Sequence, residues 1–126
     1  MRSFIRIHEE MIIRYRPIFS GKFVEGASND AMTKNISVIG ICFRTPYELS
    51  VNEHLIIELR LPSHETPITP IARVVWTRPI KNGYETGLEL MWLDWQTDEQ
   101  LIFATYINEI YDRQKAESNQ EGAENV

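Results

Sequence analysis

The feature that most constrains the fold is a series of short segments in which apolar and polar residues alternate, each bounded by turn-forming residues. In the clearest segment, His54 to Leu61, every second residue is a leucine or an isoleucine, which indicates a strand with one buried face. The other segments are residues 11–16, 33–43, 71–78 and 84–93. Five or six such segments without intervening helices predict an all-β fold, a small antiparallel barrel or sandwich.

Two local patterns refine this prediction. Alternation in the segment 71–78 places Ala72, Val74 and Trp76 on a common face. Asn82-Gly83 predicts a hairpin turn between the last two strands, because this pair tolerates the positive φ that a type I′ turn requires.

One helix is predicted to follow the strands and close the fold. Thr97 and Gln100 fit a capping box, and the acidic residues between them favour a helix start. Apolar residues then recur at helical spacing, namely Phe103, Tyr106, Ile107, Ile110 and Tyr111. We therefore expect a flexible arm over residues 1–10, a barrel with its helix over 11–115, and a disordered acidic tail over 116–126.

Length and charge exclude several classes of protein. The chain of 126 residues is long enough to form one domain without disulfides or a metal. A net charge of −5 argues against a binder of nucleic-acid backbones, including an oligonucleotide-binding barrel. The single cysteine, Cys42, predicts a reducing, cytoplasmic compartment. With no long apolar stretch, neither membrane insertion nor export through a signal peptide is expected.

The segment 33–43 contains a candidate recognition edge, Asn35-Ile36-Ser37-Val38-Ile39-Gly40. In an extended chain Asn35 and Ser37 share one face, while Ile36 and Val38 share the other. Glycine within a strand is typical of a place where the backbone bulges or another group comes close, which is the role we expect for Gly40.

Two arginines near the start of the chain are candidate ligand-binding residues. If the segment is extended, Arg2 and Arg6 project from the same side. Guanidinium groups bind phosphate oxygens, and also the O6/N7 edge of guanine, in bidentate fashion. The pair therefore suits a guanine nucleotide.

In order and separation these two motifs resemble the signature of the PilZ domain, a bacterial receptor for cyclic di-GMP. Residues 73–78 and 84–90 are also similar to later strands of that family, so the resemblance covers roughly residues 2–95. It implies a small antiparallel six-stranded β-barrel with one C-terminal helix. Asn35 stands where aspartate is usual, which keeps an acceptor but loses a charge and predicts weaker affinity.

The resemblance also implies a role for each site residue. Arg2 and Arg6 would hold guanine and phosphate, Asn35 and Ser37 would hydrogen-bond a guanine edge or a phosphate, and Gly40 would keep the approach clear. Trp76 would stack on a base, with a core tryptophan on the barrel wall as the alternative reading. Two further arginines at predicted strand ends, Arg44 and Arg78, are interpreted as exposed structural residues.

The function expected on this basis is that of a binding module. Cyclic di-GMP would change the shape of the N-terminal arm, and a protein partner would read that change in the control of motility, pili or exopolysaccharide secretion. The alternative is an adaptor of the same fold, with a degenerate nucleotide site, that docks a protein partner. Catalytic and metal-binding motifs are lacking, so we predict no enzymatic activity, metal or cofactor. Trp95, Phe103, Tyr106 and Tyr111 are more aromatic surface than one helix usually buries, so we expect a monomer or a homodimer.

Overall fold

Six antiparallel strands close into a barrel, and one helix follows them. The computed structural model describes residues 5–19, 22–23, 29–62 and 64–124. The strands are β1 (Ile12–Phe19), β2 (Lys22–Phe23), β3 (Asn29–Ser37), β4 (Gly40–Thr45), β5 (His54–Glu58), β6 (Ile71–Ile80) and β7 (Gly83–Met91); a 3-10 turn (Asp94–Gln96) then leads into α1 (Thr97–Glu124).

The strands are arranged in the order β1-β3-β4-β7-β6-β5, and pairing of β1 with β5 closes the sheet. The two-residue strand β2 pairs with the end of β1. The predicted six-stranded antiparallel barrel with one C-terminal helix is thereby confirmed, and it is a barrel rather than a sandwich.

The barrel interior is filled by the apolar side chains that alternation predicted. Leu55, Ile57 and Leu59 are each 0% exposed. Tyr15 and Phe43 meet edge to face, with ring centroids 5.3 Å apart. Full burial of one leucine or isoleucine side chain contributes about 1.5–3 kcal/mol, so these residues stabilise the closed barrel.

The segment 33–43 is a hairpin, and the prediction of one continuous strand was wrong. β3 ends at Ser37, β4 begins at Gly40, and these two residues are paired. The backbone N–H groups of Ile39 and Gly40 donate to Ser37 Oγ at 3.3 and 3.2 Å. Because Val38 and Ile39 are apolar and β-branched, the sequence gives no turn signal here.

Trp76 does not share a face with Ala72 and Val74, as alternation had predicted. Val74 pairs with Leu88, but Trp76 pairs with Gly87, so one extra residue is inserted in β6 between them. Such a bulge shifts the alternation by one residue. Ala72 and Val74 point into the core at 0% exposure, whereas Trp76 is 40% exposed on the outer surface.

The predicted hairpin between β6 and β7 is present, with a different backbone conformation from that expected. Ile80 pairs with Gly83 across the two turn residues. Among the described residues, positive φ occurs at Asn52 and at Gly83, where φ is 144°, so the turn is not type I′. A Cβ at Gly83 would lie 2.4 Å from the Thr45 carbonyl oxygen, which requires glycine there.

The helix α1 packs on the barrel through Phe103, Ile107 and Ile110, which are 0%, 2% and 4% exposed. It continues to Glu124, past the predicted end at residue 115, so the expected disordered tail is helical over residues 116–124. No helix in the described part of the chain combines the length and apolarity needed to cross a membrane.

The helix start also differs from the predicted capping box. The Thr97 hydroxyl donates to the Asp94 carbonyl oxygen at 3.1 Å. The side chain of Gln96, which is 1% exposed, connects the helix start to the barrel instead. Its Oε1 accepts from the Leu93 N–H at 2.9 Å, and its Nε2 donates to the Thr69 carbonyl oxygen at 3.0 Å. A buried amide with several partners specifies the approach of the helix to the barrel.

The N-terminal segment is anchored to β3 at Ile7. The N–H of Ile7 donates to the Ile36 carbonyl at 2.9 Å, and the N–H of Ile36 donates back at 3.0 Å. The Ile7 side chain is 2% exposed within the core. The flexible arm stays a prediction for residues 1–4, which include Arg2 and lie outside the described residues.

We predict that Ile7→Ala lowers the free energy of unfolding by about 2–4 kcal/mol, because it removes buried methyl groups and leaves a cavity. Urea denaturation measures this change. Ile5→Ala is the matched control, since Ile5 is 38% exposed and its truncation should change stability by no more than about 0.5 kcal/mol. Equal stability of the two variants would show that the segment does not pack in solution.

Candidate functional site

A groove of about 730 Å³ lies on the outer surface of the barrel, across strands β3, β4, β7 and β6. Its walls combine cationic, anionic, amide and apolar groups. The lining residues include Arg6, Asn35, Ile39, Arg73, Trp76 and Glu89. An apolar depression with a few convergent polar groups is typical of a small-molecule site.

Small residues in the central strands create the depression. In register across the four strands, Asn35 pairs with Cys42, Cys42 with Gly87, and Gly87 with Trp76. Cys42 has a small side chain and Gly87 has none, while the larger side chains of Asn35 and Trp76 lie on the two flanking strands. Burial raises the pKa of the Cys42 thiol, so this part of the floor stays uncharged at neutral pH.

Two β-bulges bring additional side chains to the groove. The register of β3 shifts between Thr33 and Asn35, and that of β6 shifts between Val74 and Trp76. Consecutive residues on each strand, Lys34 with Asn35 and Val75 with Trp76, therefore line this surface. Bulges next to binding sites commonly redirect side chains in this way.

Arg6 links the two sequence motifs. Its Nη1 donates to Asn35 Oδ1 at 2.5 Å, and its Nη2 donates to Ser37 Oγ at 3.4 Å. A Cβ at Gly40 would lie 2.7 Å from the Leu88 carbonyl oxygen and 3.3 Å from Arg6 Nη2. The structure thus brings Arg6, Asn35, Ser37 and Gly40 together, whereas Arg2 lies outside the described residues.

Ser37 is placed differently from the prediction that it faces a ligand alongside Asn35. It is 1% exposed, and its hydroxyl accepts hydrogen bonds from the turn that follows it. The Trp92 indole N–H donates to the Val38 carbonyl at 2.8 Å and holds the same turn. This geometry favours a supporting role for Ser37, in which it orients Arg6 and the start of β4.

Trp76 lies against the bare backbone of Gly87. A Cβ at position 87 would come within 2.2 Å of the indole Nε1. The ring is 40% exposed and lines the groove, so the alternative of a core tryptophan is wrong. An exposed indole face at the edge of a groove can stack on a planar base.

Three groups near the groove were missed or given another role in the sequence analysis. Arg73 donates to Asn52 Oδ1 at 2.8 Å and to Glu89 Oε2 at 2.6 Å. Lys34 Nζ lies 2.9 Å from Glu85 Oε2, and Arg78 Nε donates to Glu85 Oε1 at 2.8 Å. Spacing from Trp76 places Arg78 on the same face, and alternation with Ala72 and Val74 places Arg73 on the outer surface. The bulge that brings in Lys34 leaves no sequence signal.

Glu85 is a buried carboxylate between two cations. It is 3% exposed, and hydrogen bonds from Lys34 and then Arg78 lower its pKa below the ordinary value. The carboxylate is therefore ionised at neutral pH, and it holds both cationic side chains at this end of the sheet.

Comparisons with known proteins agree with one another. A family model described as PilZ domain matches residues 2–107. The Bacillus subtilis inhibitor of motility MotI/DgrA has a similar structure, with a TM-score of 0.70 and 18% identity, over 90% of this chain and 52% of that one. The K. pneumonia MrkH structure, described as a c-di-GMP complex, has a TM-score of 0.61 and 15% identity, over 96% of this chain and 55% of that one.

These likenesses to solved structures show the fold, and the chain spans about half the length of each of the two proteins. A search of curated proteins found no significant match.

We predict that Glu85→Gln lowers the free energy of unfolding at pH 7 by about 1–3 kcal/mol, because charge-assisted hydrogen bonds are lost. Since the folded state lowers the pKa of Glu85 below 4.5, the stabilisation is complete above that pH and is lost as pH falls through the folded value. Urea denaturation from pH 7 to pH 3 should show the difference from the parent shrinking below about pH 4.5.

Glu109→Gln, on the exposed side of α1, is the control for this prediction and should show no comparable difference. A Glu85→Gln deficit that stays constant down to pH 3 would contradict the assignment of an ionised, stabilising carboxylate.

Proposed function

Because the chain belongs to the PilZ domain family, whose model matches residues 2–107, we propose that it is a receptor module for cyclic di-GMP. The observation that carries this proposal is the contact of Arg6 with Asn35 at the groove that Trp76 borders. Two motifs separated by 29 positions in the chain meet at one concave surface that suits a planar, anionic ligand.

The chemistry of these groups matches guanine and phosphate. Arg6 is exposed and uses two hydrogen bonds in its contacts with Asn35 and Ser37, whereas a guanidinium has five N–H donors. Its remaining donors can bind a phosphate or the O6/N7 edge of guanine. Asn35 Oδ1 accepts one hydrogen bond from Arg6 and has a second lone pair that can accept from the guanine N1–H or N2–H group, and Trp76 supplies a stacking surface.

The acidic net charge of the chain does not oppose this binding. Exposed charges more than about 10 Å apart are largely screened at 0.1 M salt, so local hydrogen bonds to Arg6 decide the affinity. The described complex of MrkH with c-di-GMP is consistent with the same ligand class.

The proposed output is a change in the N-terminal segment rather than a reaction. Arg6 is adjacent to Ile7, which is fixed in the core, so a ligand that binds Arg6 acts on the segment immediately before a fixed point. Arg2 would add a second guanidinium contact when the arm orders over the nucleotide. We propose that a protein partner reads the ordered arm, and MotI, described as an inhibitor of motility, suggests motility as one such output.

We predict that the parent protein binds cyclic di-GMP and that Arg6→Ala weakens this binding about tenfold to a hundredfold, or 1.4 kcal/mol per decade. Isothermal titration calorimetry measures the change, and far-UV circular dichroism should be unaltered. Arg14→Ala is the matched control, because Arg14 forms an exposed ion pair with Asp30 away from the groove residues. An absence of heat with the parent protein would favour the adaptor alternative and overturn the receptor.

We predict that Asn35→Asp strengthens binding about threefold to tenfold, because hydrogen bonds to a carboxylate are roughly twice as strong as those to a neutral amide. The same titration measures this gain. Asn108→Asp, which adds the same charge on the exposed side of α1, should bind as the parent does. Unchanged or weaker binding by Asn35→Asp would show that Asn35 does not accept from the base.

A further inference from the structure

A second, smaller cavity adjoins the groove, and two of its lining residues, Lys34 and Arg78, have no part in the binding assigned above. It has a volume of about 300 Å³ and is lined by Lys34, Asn35, Cys42, Trp76 and Arg78. Asn35, Cys42 and Trp76 line both spaces. A ligand placed against Trp76 therefore reaches the groove with Arg6 and the cavity with Lys34 and Arg78.

The cations of this cavity are accessible, whereas their counter-ion is not. The side chains of Lys34 and Arg78 are 36% and 59% exposed, but that of Glu85 is 4% exposed. Both carboxylate oxygens are engaged, Oε2 by Lys34 and Oε1 by Arg78. The three groups leave one net positive charge at the surface, and each cation keeps further N–H donors for a ligand.

The neighbouring surface is also cationic. Arg44 on β4 pairs in register with Glu85 on β7. Arg44 and Lys81 also line a further cavity together with Glu85. Lys34 and Arg78 contact the buried carboxylate, and Arg44 and Lys81 share a cavity lining with it, in a chain with 13 basic and 18 acidic residues. Such a local excess of positive charge in an acidic protein favours binding of an anion at this place.

We propose that Lys34 and Arg78 form a second anion subsite, which binds a phosphodiester group of the guanine dinucleotide in the smaller cavity beside Trp76. This inference rests on the proposed function. The group comes either from the second phosphate of the nucleotide held by Arg6 or from a second nucleotide molecule. The shared chemistry is a phosphate anion held by two cations.

Glu85 contributes by holding both cations in place before the ligand arrives. Flexible side chains lose rotamer freedom when they bind, and a side chain that is already fixed loses less. The Arg78 guanidinium also lies 5.8 Å from the centroid of the Trp76 ring, so it is held close to the face on which a base would stack. The subsite is therefore built from Lys34, Glu85 and Arg78 as a unit.

The test is calorimetric titration of cyclic di-GMP into the parent protein and into the triple variant Lys34→Gln, Arg78→Gln, Glu85→Gln. The triple variant removes both cations without leaving an unpaired buried carboxylate. We expect affinity to fall about tenfold or more, or stoichiometry to fall from two to one. The control is Glu58→Gln, Arg60→Gln, which removes the ion pair between those residues and should bind as the parent does.

The stoichiometry distinguishes the two sources of the phosphate. If one nucleotide spans both spaces, the parent and the triple variant each bind one molecule and differ only in affinity. If a second nucleotide fills the cavity, the parent binds two molecules and the triple variant binds one. Parent affinity and parent stoichiometry in the triple variant would overturn the subsite alone, whereas no heat with the parent protein would overturn the receptor and the subsite together.

A single Arg78→Gln variant separates binding from a structural role and keeps the test informative if the triple variant misfolds. It removes one cation of the subsite, while Lys34 still pairs with Glu85, so the buried carboxylate keeps a partner. We expect cyclic di-GMP to bind severalfold more weakly to this variant than to the parent at pH 7. Parent affinity in a correctly folded Arg78→Gln would overturn the proposal, because it would show that Arg78 serves only to shape the sheet.

Discussion

Closure of the sheet is the constraint on which the rest of the structure depends. Once β1 pairs with β5, the interior of the barrel is filled by apolar side chains, and groups that bind a polar ligand must lie on the outer wall. A convex wall makes few contacts with a small molecule, because ligand sites need a concave surface. This chain makes part of the wall concave by placing Gly40, Cys42 and Gly87 on its two central strands, with larger side chains on the strands to either side.

The position of the candidate site is tied to the core through one segment. Ile7 is buried, and its neighbours on both sides make polar contacts: Arg6 donates to Asn35, and the His8 carbonyl accepts from Gln114 on α1 at 3.2 Å. A shift of the backbone at Arg6 would therefore displace His8, two residues later, and alter its hydrogen bond with Gln114 on the helix. This arrangement offers a short physical connection between the groove and α1 at Gln114.

The sequence predicted the parts of the fold that depend on regular periodicity. Alternation located the strands. The arginine and Asn-x-Ser-x-x-Gly motifs predicted from the sequence that Arg6, Asn35 and Gly40 are neighbours. Alternation failed where one residue is inserted, because a bulge at Val75 moves Trp76 to the opposite face without any change in composition. The turn at Val38 was missed for a related reason, since its stability comes from distant groups, Trp92 among them.

The groups that carry charge beside the groove were harder to foresee. Lys34 and Arg78 meet through Glu85, and nothing in the spacing of three residues on three strands predicts that they converge.

Gly87 shows how a site can depend on an atom that is missing. The Trp76 indole occupies the space that any side chain at position 87 would need. Glycine is therefore required at position 87 while the tryptophan keeps its position. Exchange of Gly87 for any other residue therefore requires the indole to move. Exchange of Trp76 for a smaller residue carries no such requirement, so the constraint runs from the tryptophan to the glycine.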